Sequence, residues 1–229
     1  MSITPYSGSH QQTRTIRPTR RSVSGSFPLR NGDTVPYESM LERDFLARAT
    51  FSTQVSTVVA QPAQIPFKTR DGRAFVYTPD FLIHFHLDQP RFGDCPSSVL
   101  VEIKPREQWT QNWRRWLPKW KAAWRYAQEQ GWEFHILDES RIRDDALLNI
   151  QFLDRYKSMS FRTEVMDSVL QTVRHVGVVP VHHLLALHFP GPLRSQGISH
   201  IWHMIAARQL DCDIRQTLNE FLPVWVPSR

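Results

Sequence analysis

Two short apolar runs, 81–87 (FLIHFHL) and 98–103 (SVLVEI), set the centre of this chain, because each has strand length and each meets charge at one end. The first is entered through Tyr77-Thr78-Pro79-Asp80, and the second leaves through Glu102-Ile103-Lys104. Side chains alternate across a strand, so Glu102 and Lys104 share one face while Val101 and Ile103 point to the other. Two acids and a lysine are thereby brought to the edge of a small sheet. Carboxylates hold hard divalent cations through oxygen. An ammonium beside them orients water or neutralises charge on a phosphorane-like transition state. The chemistry that needs this set is metal-dependent phosphodiester hydrolysis.

The spacing matches the PD-(D/E)xK pattern of restriction-type nucleases, a loose pattern that many chains meet by chance. A third acid is needed. Glu38 and Glu42 fall four apart on a helical segment opened by Tyr37-Glu38-Ser39-Met40-Leu41-Glu42, whose Leu41, Phe45 and Leu46 form an apolar stripe. Charged residues on such a face are ordinarily just solvated, but the downstream elements favour Glu42 as the third acid. His84 and His86 share strand parity with Asp80 and could face the same site; they read as polar sheet-face or substrate-contacting residues. No Cys or further His is spaced to complete a tetrahedral zinc site, and oxygen donors with a lysine favour magnesium or manganese.

A length of 229 residues, 41% of them hydrophobic, allows one large or two modest domains. Nothing approaches an 18-residue apolar run, so no membrane span is expected. Cys95 and Cys212 give no metal spacing and suit a reducing cytosol. Charge is unevenly placed. Residues 1–30 hold Arg14, Arg17, Arg20, Arg21 and Arg30 and no acid, leaving 23 basic residues against the 22 acids elsewhere. Segment 1–33 therefore reads as a basic disordered arm, suited to a nucleic-acid backbone or simply solvated, with a composition that also resembles a transit peptide.

After the arm, residues 34–157 give a helix, strands near 55–59, 65–68 and 74–77, the two central strands, a helix from about Pro118 to Gly131, a strand over 132–137, and helix over 141–157. That order suits a mixed sheet flanked by helices, with a crossover to a parallel last strand. Residues 158–229 change in texture. Helices over 166–173, 181–187 and 199–209 precede short strands at 210–214 and 222–226, which describes a winged helix, a helix-turn-helix variant. Trp113, Trp116, Trp120 and Trp124 step along one helical face that Pro118 interrupts; the stripe reads as core. With Arg114, Arg115, Lys119 and Lys121 interleaved, an aromatic-basic surface for DNA is the alternative. His182, His183, His188, His200 and His203 lack acidic or thiol partners at ligand spacing and read as ordinary helix histidines.

The ordered elements Tyr37-Glu38-Ser39-x-Leu41-Glu42-x-Asp44-Phe45, Gln61-Pro62, Tyr77-x-Pro79-Asp80-Phe81, Val101-Glu102-Ile103-Lys104, Gly131-Trp132-x-Phe134 and Ile142-Arg143 with Asn149 together resemble the TnsA endonuclease subunit of heteromeric bacterial transposases. The resemblance covers about residues 37–155. It implies an α/β fold with a restriction-endonuclease-like core followed by a winged-helix domain. It also implies a cytoplasmic bacterial nuclease that cuts the 5′ ends of a mobile element in double-stranded DNA. A DDE transposase of the TnsB type would cut and join the 3′ ends, and an AAA+ ATPase of the TnsC type would couple both to target choice. By motif match, Asp80, Glu102 and Lys104 would carry chemistry dependent on Mg2+ or Mn2+, with Glu42 as the helix acid sharing a second metal. Members of the family can carry Gln where this chain has Glu102. Two rival readings are a DNA-binding adaptor with an inactive nuclease-like domain and a stand-alone defence nuclease.

Overall fold

β-Branched and aromatic residues at alternating positions build four strands into one sheet at the centre of the N-terminal half. The computed structural model describes residues 23–29, 32–86 and 97–227. The arginines of the arm, the loop around Pro90, Gly93 and Pro96, and Cys95 lie outside them. Chain contacts separate two units, Met1–Ile142 and Arg143–Arg229. No helix among the described residues is long and apolar enough to cross a membrane.

In the first unit, β1 (Gly25–Pro28) and β2 (Thr34–Tyr37) form an antiparallel hairpin. Segment 25–28 was expected to belong to the unfolded arm; it pairs instead, and Phe27 and Leu29 pack on the core. Helix α1 (Met40–Phe51) follows, then β3 (Val55–Ala60), the hairpin β4 (Ile65–Lys68) and β5 (Ala74–Tyr77), and β6 (Phe81–Phe85). The turn between β4 and β5 closes on Gly72, whose φ of 82° is a left-handed conformation that a side chain disfavours. Strand β7 (Ser98–Ile103), helix α2 (Arg106–Glu129), β8 (Glu133–Leu137) and the short α3 (Glu139–Ile142) complete the unit. The sheet order is β3-β6-β7-β8, with β3, β6 and β7 antiparallel and β8 parallel to β7 across α2.

Alternation along β6 and β7 splits the core into two layers. Phe81, Ile83, Val101 and Ile103 face Leu41, Phe45 and Leu46 of α1. Leu82 and Leu100 face Trp120, Ala123 and Ala127 of α2. Leu46, Leu82 and Leu100 have no exposed surface, and each such burial contributes about 1.5–3 kcal/mol. Helix α2 starts at Arg106 and passes straight through Pro118, which is therefore inside the helix and not its first turn. The missing N–H of an internal proline costs about 3 kcal/mol, and the buried Trp120, Ala122, Ala123 and Ala127 that follow it offset the cost. The tryptophan stripe divides accordingly: Trp109, Trp116 and Trp120 join the core, whereas Trp113 and Trp124 are exposed.

The second unit contains α4 (Asp145–Lys157), α5 (Thr163–Val176), β9 (Val179–Pro180), α6 (Val181–His188), a 3₁₀ turn, α7 (Arg194–Ala206), β10 (Asp211–Cys212) and β11 (Pro223–Trp225). The three strands form one antiparallel sheet in the order β10-β11-β9. A boundary at 157/158 was expected from sequence, but α4 belongs with this unit. Its buried Ala146, Leu147, Ile150 and Leu153 lie against α7, and the Asn149 amide donates to the carbonyls of Ile214 and Gln216. The continuous helix expected over 141–157 is broken, because Asp144 caps a new one through Leu147 N–H. Gly197 lets α7 approach Phe189 so closely that a Cβ would overlap the ring.

Candidate active site

Asp80 stands at the entrance to β6, and Glu102 and Lys104 at the exit of β7, so the antiparallel pairing Phe81↔Val101 brings all three together. Asp80 Oδ2 accepts the Ile103 N–H at 2.7 Å and the Lys104 ammonium at 3.2 Å. Its backbone carbonyl accepts the N–H of Gln61, a buried residue held at the left-handed φ of 48°. Lys104 also reaches Glu102 Oε1 at 3.4 Å and donates to the Ile103 carbonyl at 2.8 Å. One cation thus sits among three oxygens from Asp80, Glu102 and Ile103. Glu102 is 1% exposed, while Asp80 and Lys104 keep about a fifth to a quarter of their side-chain surface open (20% and 24%).

Glu102 is held from a second side. Tyr77 donates its hydroxyl to Oε2 at 2.5 Å, and Lys119 of α2 donates to Oε1 at 2.9 Å. The Lys119 ammonium lies over the rings of Tyr77 (4.7 Å), Trp116 (5.0 Å) and Trp120 (5.8 Å). Cation–π contacts favour the charged amine in this desolvated position. Lys119 was not among the expected site residues. The signal was available, since it lies on the helix that directly follows the Glu-x-Lys strand, between the two tryptophans that turn inward.

Burial and charge push the titrations apart. Burial first, then the neighbouring Glu102 carboxylate, raises the Asp80 pKa to about 8. Burial also opposes ionisation of Glu102, but Lys104 and Lys119 outweigh it and hold this carboxyl below its usual range. Desolvation disfavours the Lys104 cation, yet Asp80 and Glu102 together raise its pKa. Burial and the adjacent Glu102 push the Tyr77 hydroxyl far above the ordinary phenol range. Acids whose environments separate their protonation states in this way are common at reactive sites.

Glu42 occupies the third position of α1 in a capping box. The Ser39 hydroxyl accepts from Glu42 N–H and donates to Oε1, and the Glu38 N–H donates to Oε2. Burial raises its pKa, and it lies within electrostatic reach of Lys104 and Asp80. Among the described residues no group of three or more His, Cys, Asp or Glu side chains is gathered as metal ligands. His84 takes the polar sheet-face alternative: it bonds Ser98 Oγ at 2.7 Å and meets Trp132 edge-on, at the opposite end of the strand from Asp80. The C-terminal histidines serve the local fold, His188 with Thr172 Oγ1 and His203 with the Tyr156 carbonyl. Cys212 is buried and free, its thiol pushed up to about 12 by burial and Asp211.

A four-stranded mixed sheet covered by helices, with Asp80, Glu102 and Lys104 gathered at the ends of two adjacent strands, is a mixed α/β core consistent with a restriction-endonuclease-like fold. Residues 52–139 match the family described as TnsA-like endonuclease N terminal. The match covers less than half of the chain and supports a TnsA-type endonuclease assignment for this segment. The segment contains Asp80, Glu102, Lys104 and Lys119, and leaves out α1 with Glu42 and the second unit. No curated protein matches the chain.

Proposed function

We propose that the protein is the metal-dependent DNA endonuclease subunit of a heteromeric transposase, hydrolysing phosphodiester bonds at the 5′ ends of a mobile element. The observation that carries this reading is the Lys104 ammonium seated among Asp80 Oδ2, Glu102 Oε1 and the Ile103 carbonyl. Three oxygens converging on one cation fit a hard divalent ion such as Mg2+ or Mn2+. Asp80 and Glu102 would hold it, with Glu42 as a further acid on α1. When bound, such an ion polarises a phosphate and lowers the pKa of its water.

The side chains of this protein prepare that site. Tyr77 and Lys119 fix the Glu102 carboxylate, so its orientation is set before substrate arrives. Lys104 remains charged at neutral pH and offers its ammonium to an incoming phosphate or water at the exposed side of the cluster. A 5′-phosphate and a 3′-hydroxyl are the products of this hydrolysis. In this reading the protein acts in the bacterial cytoplasm and its second unit has an assembly role. After α4, the order α5, β9, α6, α7, β10 and β11, with β9 beside β11 in the sheet, supports a winged-helix reading of this unit. Docking to a DDE transposase and an AAA+ ATPase is assigned to it.

The test is cleavage of duplex DNA carrying the element ends, with both partners present, in Mg2+, Mn2+, Ca2+ or chelator. Cutting in the first two alone, leaving 5′-phosphate and 3′-hydroxyl termini, is expected. Robust cutting in chelator overturns the metal-dependent reading.

A further inference from the structure

We propose that the groove between β4 and α2 is a binding site for the phosphate backbone of duplex DNA flanking the cleaved bond, separate from the catalytic cluster. Lys68 and Arg70 from the β4 side face Lys121 and Arg125 of α2 across a groove of about 260 Å³ floored by Phe67, Leu117 and Pro118. All four cations are exposed, and no acid lines the groove. Among the described residues none of the four is ion-paired. Four unneutralised charges held around one apolar floor are unfavourable in isolation and call for a polyanion.

The cations are spread along the groove rather than gathered at a point, which suits a polymer better than a single phosphate. Arg114, Lys121 and Arg125 continue the row on one stripe of α2. At 1.5 Å rise per residue this stripe spans about 16 Å, the axial length of about five phosphates of one DNA strand. The apolar floor carries the lysine and arginine stems while their heads reach outward. Exposed Trp113 and Trp124 border the same stripe. Lys119, two residues before Lys121, points instead to Glu102. The helix thus presents one face to the catalytic cluster and another to the groove, so the groove holds flanking backbone and not the scissile phosphate.

The nuclease reading enters only in naming DNA as the polyanion. The test measures binding of the full chain to a fluorescent duplex of the element end over a range of salt concentrations. The variants are Lys68→Gln with Arg70→Gln, Lys121→Gln with Arg125→Gln, all four together, and Asp80→Asn. Each neutralised phosphate contact contributes about 0.9 to the slope of log affinity against log salt. The fourfold variant should therefore lose about 3 to 4 from that slope and each pair about half, with melting temperature unchanged. Asp80→Asn should keep the wild-type slope. An unchanged slope in the fourfold variant overturns the groove, even if that variant loses an acidic protein partner instead. If that happens while the wild type cuts DNA, only the groove falls; a wild type that neither binds nor cuts DNA removes the nuclease reading as well.

Discussion

Asp80 and Glu102 are both carboxylates a few ångströms from Lys104, yet their removal should have opposite consequences for stability. The folded pKa of Asp80, about 8, lies above the ordinary value of about 3.9 for an unfolded aspartate. In metal-free buffer the native state keeps this proton where the unfolded chain has released it. The contribution of Asp80 is therefore most favourable below about pH 4 and is lost as pH rises towards about 8. Asp80→Asn should melt higher than the wild type in chelator, by a margin that widens from pH 5 to pH 8 and then levels; scanning calorimetry across that range checks this. Glu102 is different because Tyr77, Lys104 and Lys119 all rely on it. Glu102→Ala should cost about 3–5 kcal/mol in urea unfolding, the usual penalty for stranding a buried partner. Lys119 is a positioning residue. Lys119→Met should lower cleavage about 10–100-fold and raise the metal concentration needed for half-maximal rate, while Lys119→Arg restores part of both.

At the scale of elements, the chemistry-bearing strands were the most legible part of the sequence. Period-2 alternation with Asp80 before one apolar run and Glu102 and Lys104 at the end of the next allowed little else, and the register confirms the sharing of faces. Helix α2 was misread because a proline is usually a first-turn residue. Starting the helix at Pro118 broke the stripe that carries Trp116 inward and left Lys119 with no place in the catalytic cluster. Hairpin β1–β2 was hidden by the basic composition upstream of it, and β9 is too short, at two residues, for any periodicity to show. Packing also reverses an ordinary propensity in α7. Replacing a helical glycine by alanine normally gains about 1 kcal/mol, but Gly197→Ala forces a methyl group into the Phe189 ring. It should lose about 1–3 kcal/mol, and combining it with Phe189→Leu should recover part of the loss in thermal melts.

For the molecule as a whole, the two units set where the chain can be divided. The composition change near 158 was legible, but the apolar face of α4 finds its partner in α7, and only the structure shows that. A protein of residues 1–142 should fold cooperatively, because both core layers of the sheet close within it. One of residues 1–157 should carry α4 with Leu147, Ile150 and Leu153 uncovered, and show faster exchange of the α4 amides and stronger self-association by size exclusion. Neither piece should support transposition if the second unit docks the partners.

The central claim is that the Asp80–Glu102–Lys104 cluster performs the cut, and Asp80→Asn in the full chain tests it most directly. Thermal stability in chelator and 5′-strand cleavage with both partner proteins and Mg2+ are measured on the same preparation. The expected result is a protein at least as stable as the wild type that leaves the 5′ ends uncut. Cleavage at the wild-type rate by this variant would contradict the assignment.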